Sequence, residues 1–418
     1  MKQLFLIILF ITISLSGFSS SILIPMDESQ QNHLKSYGIA YWTLERGVEV
    51  KWLLNYRGGS FLIQYVKEIE SECIIRGVSF EVIADGKANQ ILEQISSPSQ
   101  NMDVVPMQKA PKIAVYSPPN KQPWDDAVTL VLTYAEIPYD IIYDEKIVAG
   151  ELTKYDWLHL HHEDFTGQYG KFYQSYRNLP WYKEEVKTNE DMAHRLGFLK
   201  VSEMKLVVAK TIQSYVANGG FLFAMCAATD TYDIALAAQN TDICESMYDG
   251  DPADPDMNEH LDYTRTFAFQ NFHVEKDPYR YEFSDIDVTY TRNVTMASDY
   301  FTLFEYSAKW DPVPTMLCQN HTRVIKGFMG QTTAYNEQFV KPEVLIMGEN
   351  KSAGEARYVH GEYGNGTWTF YGGHDPEDYQ HRVGDPPTDL NLYPNSPGYR
   401  LILNNVLFPA AKKKKQKT

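Results

Sequence analysis

The chain has 418 residues, of which 44% are hydrophobic, and a formal net charge of -16 at neutral pH. This length and apolar content indicate a folded protein with two or more compact domains. The acidic balance argues against a nucleic-acid partner, because binding to phosphates needs a basic surface.

The N-terminal twenty residues have the pattern of a secretory signal peptide. Lys2 supplies a positive charge, residues 4–15 form an apolar run, and small residues follow at Gly17 and Ser19. We therefore predict a signal peptide over residues 1–20 and an exported product, either periplasmic or secreted. No later stretch is long and apolar enough to predict an integral membrane span.

Residues 22–107 are predicted to form a small α+β domain. Tyr37–Leu44 and Val48–Tyr56 alternate between apolar and polar positions, which predicts a hairpin, and Phe61–Cys73 is predicted as a helix. The segment Ser96–Ala110 is rich in serine and proline, and this composition predicts a linker.

From residue 111 the pattern changes to alternating strands and helices. Strands are predicted at 112–116, 139–143, 155–160, 221–225 and 366–371, and helices at 124–135, 202–217, 232–238 and 399–407. This order predicts an α/β domain over 111–408, built on a parallel sheet with helices on both faces. We interpret residues 239–355 as a β-rich insertion, with a β-like piece at 283–290, and residues 409–418 as a basic disordered tail.

Polar side chains follow several of the predicted strands. Ser117 comes after the first strand of this domain, His161-His162-Glu163 after a later one, and Cys226 and His374 after two others. Because ligands of open parallel sheets bind beyond the carboxyl ends of the strands, we expect these residues to meet at one edge. Ser117, His161, His162 and Glu163 are predicted to line the cleft.

Cys226 lies on a predicted sharp turn between a strand and a helix. Such a turn presents a nucleophile, and the helix that follows, with Thr229 and Asp230 as candidate caps, would lower the pKa of a thiol. The alternative is that Cys226 is a small buried core residue, since free cysteine is often buried.

Acyl transfer by a thiol also needs a base and a group that orients the base. His374 supplies the base, and Glu377 or Asp375 the acid. The backbone N–H of Ala227 is the expected oxyanion donor.

The order of Cys226, His374 and a carboxylate resembles the class I glutamine amidotransferase-like superfamily, and Gly373–Glu377 with Arg400–Asn405 is similar to its ThuA-like branch. The resemblance implies a flavodoxin-like sheet and, for that branch, a link to sugar metabolism. Two departures are visible. The turn has Ala224 and Ala228 where glycines are usual, and the acid stands three residues after His374 instead of two.

The whole chain also resembles a secreted bacterial family often labelled asparagine synthetase B. Residues 24–27, Ile-Pro-Met-Asp, and 55–60, Asn-Tyr-Arg-Gly-Gly-Ser, carry this likeness. The sequence has neither the N-terminal cysteine nor the glycine-rich pyrophosphate loop that such a synthetase needs, so the label implies no mechanism.

The sequence contains possible metal ligands, but we assign no metal site. His161, Glu163 and His374 could converge on zinc or iron, but the chain lacks a recognised spacing of ligands, and a hydrogen-bonded histidine pair is the preferred interpretation. The acidic stretch 245–262 does not fit an EF-hand and is interpreted as a solvated loop. No cofactor is predicted.

Three functions follow from these patterns. The first is an exported Cys-dependent hydrolase of an amide or related acyl bond, and the second is a non-catalytic protein that binds a sugar, a peptide or another small molecule on the same fold. A metal-dependent hydrolase is third.

Overall fold

The computed structural model describes residues 20–305, 307–311 and 321–411. The strands are β1 Ser20–Ile24, β2 Val50–Leu54, β3 Ser60–Gln64, β4 Glu81–Ala84, β5 Asp103–Met107, β6 Ile113–Tyr116, β7 Asp140–Ile142, β8 Trp157–Leu160, β9 Phe221–Met225, β10 Tyr300–Leu303, β11 Val324–Lys326, β12 Tyr335–Asn336, β13 Leu345–Asn350, β14 Glu355–Tyr363 and β15 Gly366–Tyr371. The helices are α1 His33–Glu45, α2 Lys67–Ile75, α3 Asp85–Ser96, α4 Ala127–Tyr134, α5 Asp144–Val148, α6 Tyr173–Tyr176, α7 Pro180–Arg195, α8 Val201–Ala217, α9 Ala228–Ala237, α10 Ser246–Asp249 and α11 Pro397–Leu407. The result is a mixed α/β structure with two sheets.

The first sheet is built from residues 20–107 and is antiparallel throughout, in the order β4-β1-β3-β2-β5. Helix α1 packs between this sheet and helices α4 and α11. That these residues fold as a separate domain stays a prediction.

The second sheet has the order β11-β10-β13-β14-β15-β9-β8-β6-β7, with β12 paired to β14. Strands β7, β6, β8, β9 and β15 are parallel, whereas β14, β13, β10 and β11 are antiparallel. The sheet is therefore mixed, and the prediction of a parallel sheet holds only for its second half. Only Gly364 and Asn365 connect β14 to β15, and so short a connection makes an antiparallel hairpin.

Strand β9 shows why the strands of the parallel half are apolar along their whole length. Leu222 and Ala224 pack in the core beneath helices α8 and α9. Phe223 and Met225 point the other way, into the core shared with α1, α4 and α11. Because both faces of the strand are buried, the side chains on both faces are apolar.

Two predictions in the first sheet are wrong. Residues 37–44 belong to helix α1 and not to a hairpin, because Leu34, Tyr37, Tyr41 and Leu44 recur at helical spacing and are buried together. The predicted linker contains strand β5, which pairs with β2. Pro106 is tolerated there because β5 is an edge strand.

Other boundaries also differ from prediction. The predicted helix at 61–73 is strand β3 followed by α2, and residues 283–290 form only isolated bridges. The predicted insertion supplies β10, β11 and β13, which extend the second sheet.

The predictions for the two ends of the chain fall partly outside the described residues. The predicted signal peptide lies outside the described residues except for Ser20, which begins β1. Residues 408–410 form a short helical turn and Ala411 bridges to Met107, so the tail is not disordered at 409–411; residues 412–418 are not described. Across residues 20–305, 307–311 and 321–411, every helix is too short or too polar to cross a membrane.

Candidate functional site

The carboxyl ends of β6, β8, β9 and β15 gather at one edge of the second sheet. Backbone hydrogen bonds join the loops that follow: Cys226 N–H donates to Gly373 O at 3.2 Å, and Ala228 N–H donates to His161 O at 3.0 Å. The loops after these strands therefore lie next to one another, as we expected.

Cys226 has the backbone of a strained turn and the surroundings of a buried thiol. Its φ is +51°, which side-chain-bearing residues rarely adopt, and it is 4% exposed. Burial raises its pKa to about 11, although the N–H groups of Gln331, Ala227 and Thr332 act in the opposite direction. Gln331 N–H donates to Sγ at 3.3 Å. The thiol is therefore protonated at neutral pH.

The helix after Cys226 does not begin as predicted. Helix α9 starts at Ala228 with Ala227 as its N-cap, and no side chain caps it, so Thr229 and Asp230 lie inside the helix. The predicted oxyanion donor Ala227 directs its N–H toward the thiol itself.

His374 lies in the loop next to Cys226, but its ring packs against other imidazoles. Within the part of the chain that the structure describes, no hydrogen bond joins His374 to Cys226. The centroid of the His374 ring lies 4.8 Å from that of His161, 4.7 Å from that of His162 and 4.4 Å from that of His381.

The predicted acids do not face His374. Asp375 is fully buried and its Oδ1 accepts the N–H of Glu377 at 2.8 Å. Burial raises the pKa of Asp375, against hydrogen bonds from Thr388 and Tyr399. Burial also raises the pKa of Glu377, whose side chain meets that of Ser396. The structure therefore does not assemble the predicted triad.

Instead, the edge carries a histidine cluster, made of His161, His162, His374 and His381. The rings of His161 and His162 stack at 3.9 Å, and the ring of His374 bridges from them to that of His381. Burial, with the neighbouring histidines, keeps the pKa of His162 and His374 well below its usual range. These two rings are neutral at neutral pH.

Carboxylates surround the cluster. Asp126 lies 3.2 Å from Nε2 of His159 and 3.3 Å from Nδ1 of His161. His381 lies between Asp125 and Asp378, at 3.0 and 2.9 Å. Burial lowers the pKa of His381, but these two carboxylates outweigh burial and raise it to about 9.

Sequence reasoning missed His381, Asp125 and Asp126. None of them directly follows a strand: Asp125 and Asp126 precede α4, and His381 lies seven residues after His374. Their spacing matches no known ligand motif, so the sequence contained no signal for them.

A cavity adjoins the cluster between the loops after β6 and β8. It is lined by Pro118, Gln122, Trp124, Tyr143, His162, Glu163, Asp164, Gly167, Tyr169, Gly170, Phe172, Glu185, Asn189, Val201 and Lys205, and we call it the β6/β8 cavity. Its volume is ≈ 40 Å³, measured as the space that the centre of a water molecule can occupy. Of the predicted cleft residues, His162 and Glu163 line it, whereas Ser117 and His161 do not.

Aromatic and charged side chains form the walls of the β6/β8 cavity. The ring of Trp124 lies 5.3 Å from that of Phe172 and 5.5 Å from that of His162. Lys205 is buried and its Nζ lies 2.8 Å from Asp144 Oδ2. Burial raises the pKa of Glu163 to about 8, against the N–H of His161, which donates to it at 3.0 Å.

No protein-family model matches the chain, and no curated protein matches it. Among solved structures, the chain is similar to the cytoplasmic protein STM3548 from Salmonella typhimurium, with 12% identity and a TM-score of 0.34 over 72% of this chain and 100% of the other. The cytoplasmic protein STM1381 from Salmonella typhimurium LT2 gives 12% identity and a TM-score of 0.32, over 72% and 99%. The exo-beta-1,4-mannosidase Op5Man5 from Opitutaceae bacterium strain TAV5 gives 11% and 0.28, over 73% and 37%. At these TM-scores the likeness decides neither fold nor function.

Proposed function

We propose that this chain binds a small hydroxyl-bearing molecule, such as a sugar, in the β6/β8 cavity. The position of the cavity carries the proposal. In chain order, the parallel strands β7-β6-β8-β9-β15 have the arrangement 2-1-3-4-5, and the cavity lies between the loops after strands 1 and 3. Open α/β sheets of this order bind ligands at that switch point.

The same strand order supports the finer fold proposal, a flavodoxin-like half-sheet akin to the class I glutamine amidotransferase-like superfamily. Export likewise remains a proposal, motivated by residues 1–20. Fractionation of the native host would test it, and a full-length product in the cytoplasm would contradict it.

The lining chemistry supports a polar ligand with one flat apolar face. Trp124 and Phe172 offer ring surfaces, and Trp124 Nε1 has no hydrogen-bond partner among the described residues. Glu163 offers a carboxyl oxygen on the same walls, whereas both oxygens of Glu185 already accept hydrogen bonds from amide side chains. Aromatic rings combined with a few placed polar groups are the usual lining of a small-molecule site.

A Cys-dependent hydrolase is the second candidate. The strained φ of Cys226 and the N–H groups directed at its sulfur favour it. The burial of the thiol and the absence of a hydrogen bond to His374 in the described residues make it the weaker one.

Calorimetric titration with neutral monosaccharides and with their amino and acid derivatives tests the binding proposal. We expect saturable binding by at least one of them, accompanied by a change in tryptophan fluorescence. Trp124→Ala should remove an aromatic anchor and weaken binding by about two- to tenfold or more, since stacked aromatic pairs contribute about 0.5–1.5 kcal/mol beyond the area they bury.

Trp310→Ala is the matched control, because Trp310 is 69% exposed and lies outside the cavity lining. It should leave affinity unchanged. Glu163→Gln preserves the shape of the side chain. A loss of affinity in this variant therefore reports lost hydrogen bonding and not lost folding. If no compound in the panel binds, or if both tryptophan variants bind equally well, the cavity is not the ligand site.

A further inference from the structure

Three imidazoles of the histidine cluster place nitrogens close together, and two of these rings have nitrogens without a hydrogen-bond partner among the described residues. One candidate ligand nitrogen each from His161, His162 and His374 lies within 4.8 Å of the others. His161 is 1% exposed and His374 5%. Among the described residues, both ring nitrogens of His161 and Nε2 of His374 lack a hydrogen-bond partner. A buried polar atom without a partner costs about 1–3 kcal/mol, so a ligand that bonds to these nitrogens would stabilise the folded protein.

Neighbouring oxygen acceptors determine which ring nitrogen of His162 and of His161 carries the free lone pair. His162 Nε2 lies 2.8 Å from the backbone carbonyl of Asp125, which only accepts, so the proton is on Nε2 and the lone pair on Nδ1. His161 Nδ1 lies 3.3 Å from Asp126 Oδ1, an ion-pair distance without hydrogen-bond geometry, which leaves Nε2 for a ligand. A carbonyl or carboxylate behind the ring is the arrangement that orients metal-binding histidines.

We propose that His161, His162 and His374 bind one divalent transition-metal ion, of which zinc is the representative. Neutral imidazole nitrogens suit zinc, copper, iron and nickel, whereas calcium and magnesium prefer oxygen. Two carboxylates adjoin these rings: Asp126 lies 3.3 Å from Nδ1 of His161, and Asp125 forms a further group of possible ligands with His374 and His381.

The stacked rings of His161 and His162 hold their in-plane lone pairs nearly parallel, so binding one ion requires these rings to rotate as well as to approach each other. Zinc–nitrogen bonds of about 2.0–2.1 Å in a tetrahedron place ligand nitrogens about 3.3 Å apart. The nitrogens here lie within 4.8 Å, so the rings would close by up to about 1.5 Å on binding the ion. Three protein ligands leave a position open for water or another ligand. His162 also lines the β6/β8 cavity, so this position lies close to it.

A separate group of possible metal ligands differs from the histidine cluster because a lysine already pairs with it. Asp242, Cys244 and Asp249 also lie within 4.8 Å of one another. The ammonium of Lys200 lies 2.6 Å from Asp242 and 3.0 Å from Asp249, so a protein cation already neutralises them. Among the described residues, no lysine or arginine pairs with the groups around His161, His162 and His374, and His381 is already paired with Asp125 and Asp378, so we expect the metal at these three rings.

Zinc titration of the full chain, produced without a histidine tag and stripped with a chelator, tests the site. Calorimetry should give one zinc per chain, and magnesium should give no binding. His162→Gln and His374→Gln should each weaken zinc binding by at least about tenfold, because changes even in the outer shell cost 10–100-fold. X-ray absorption of the zinc-loaded protein should show about three imidazole nitrogens.

His260→Gln and His273→Gln are the matched controls, since both residues are exposed and lie beside aspartates. They should leave the affinity unchanged. Circular dichroism of the stripped variants shows whether each still folds. A stoichiometry far below one, or equal affinity in all four variants, overturns the proposal. Because sugar binding is measured on the stripped protein too, failure of the metal site is distinguishable from failure of the binding proposal.

Discussion

Cys226 illustrates how far one residue can be predicted from its neighbours in sequence. The apolar run before it and the small residues around it located the turn correctly, and the φ of +51° confirms the sharpness of that turn. Its reactivity depends on burial and on the direction of His374, and both come from segments distant in sequence. Gln331, which donates to the sulfur, is 105 residues away.

The structure predicts slow alkylation of Cys226. With its pKa raised to about 11, its thiolate fraction at pH 7 is about 300-fold below that of a thiol with the usual pKa of about 8.5. Iodoacetamide followed by mass spectrometry should therefore label Cys226 slowly in the folded protein, and it should also label Cys73 slowly, since burial raises the pKa of Cys73 to about 12.

Unfolded protein is the control for this experiment, since both thiols should react quickly there. His374→Ala should leave the labelling of Cys226 unchanged in the folded protein. Rapid labelling at pH 6.5 that depends on His374 would instead favour the Cys-dependent hydrolase.

The histidine cluster was predictable only in part. The strand-end rule placed His161, His162 and His374 at one edge, because parallel strands end together. It could not predict that the rings stack, nor that His381 joins them, since that residue follows an irregular segment.

At the level of elements, helix α1 closely approaches the end of helix α4 at Gly38. A Cβ added there would lie 1.8 Å from the carbonyl oxygen of Ala135, which caps α4. Only a residue without a side chain permits this contact, because the atom in the way is backbone and cannot rotate aside.

Gly38→Ala should therefore destabilise the protein, by about 1–3 kcal/mol or more, as expected for overpacking. Urea unfolding measures the change. Gly86→Ala in α3 is the matched control, because a Cβ there meets nothing within 4 Å. Since alanine favours a helix by up to about 1 kcal/mol over glycine, the control should be neutral or stabilising. Equal effects of the two changes would contradict the packing argument.

Helix α1 and strand β5 also show why local patterns misled at this scale. The stretch 37–44 satisfies both alternation and helical spacing, and burial against α11 and α4 decides for the helix. Proline and serine near β5 are typical of a linker, yet pairing with β2 makes residues 103–107 a strand. In both cases the deciding contacts are made by residues distant in sequence.

For the whole molecule, Arg400 joins the first sheet to the second. It is fully buried on α11 and donates to Tyr37 Oη, to the carbonyls of Met26 and Gly58, and to His321 Nδ1. His33 stacks on His321 at 4.4 Å. The junction therefore holds one buried cation against neutral groups.

Acid should weaken this junction. Burial, reinforced by Arg400, lowers the pKa of His33 to about 3 and that of His321 to about 4. The unfolded chain takes up these protons near pH 6.5 but the folded chain does not, so the free energy of unfolding falls as the pH drops from about 6.5 toward 4. Each such histidine contributes up to about 1.4 kcal/mol per pH unit.

Urea unfolding at pH 7, 6 and 5 measures this slope. His33→Gln should flatten the dependence while lowering the stability at pH 7. His273→Gln, on an exposed residue, should keep the wild-type slope. A wild-type slope retained in His33→Gln would exclude His33 as a source of the pH dependence.

The contact between α1 and α11 also constrains the order of events when the chain is made. Tyr37 hydrogen-bonds Asn404, which follows 367 residues later. A ribosome adds about 5–20 residues per second, so α1 exists for roughly 20–70 s before α11 is synthesised. An export channel would also deliver α1 first. Until α11 has been synthesised, an apolar side of α1 is exposed to water. During this interval the incomplete chain is prone to aggregation.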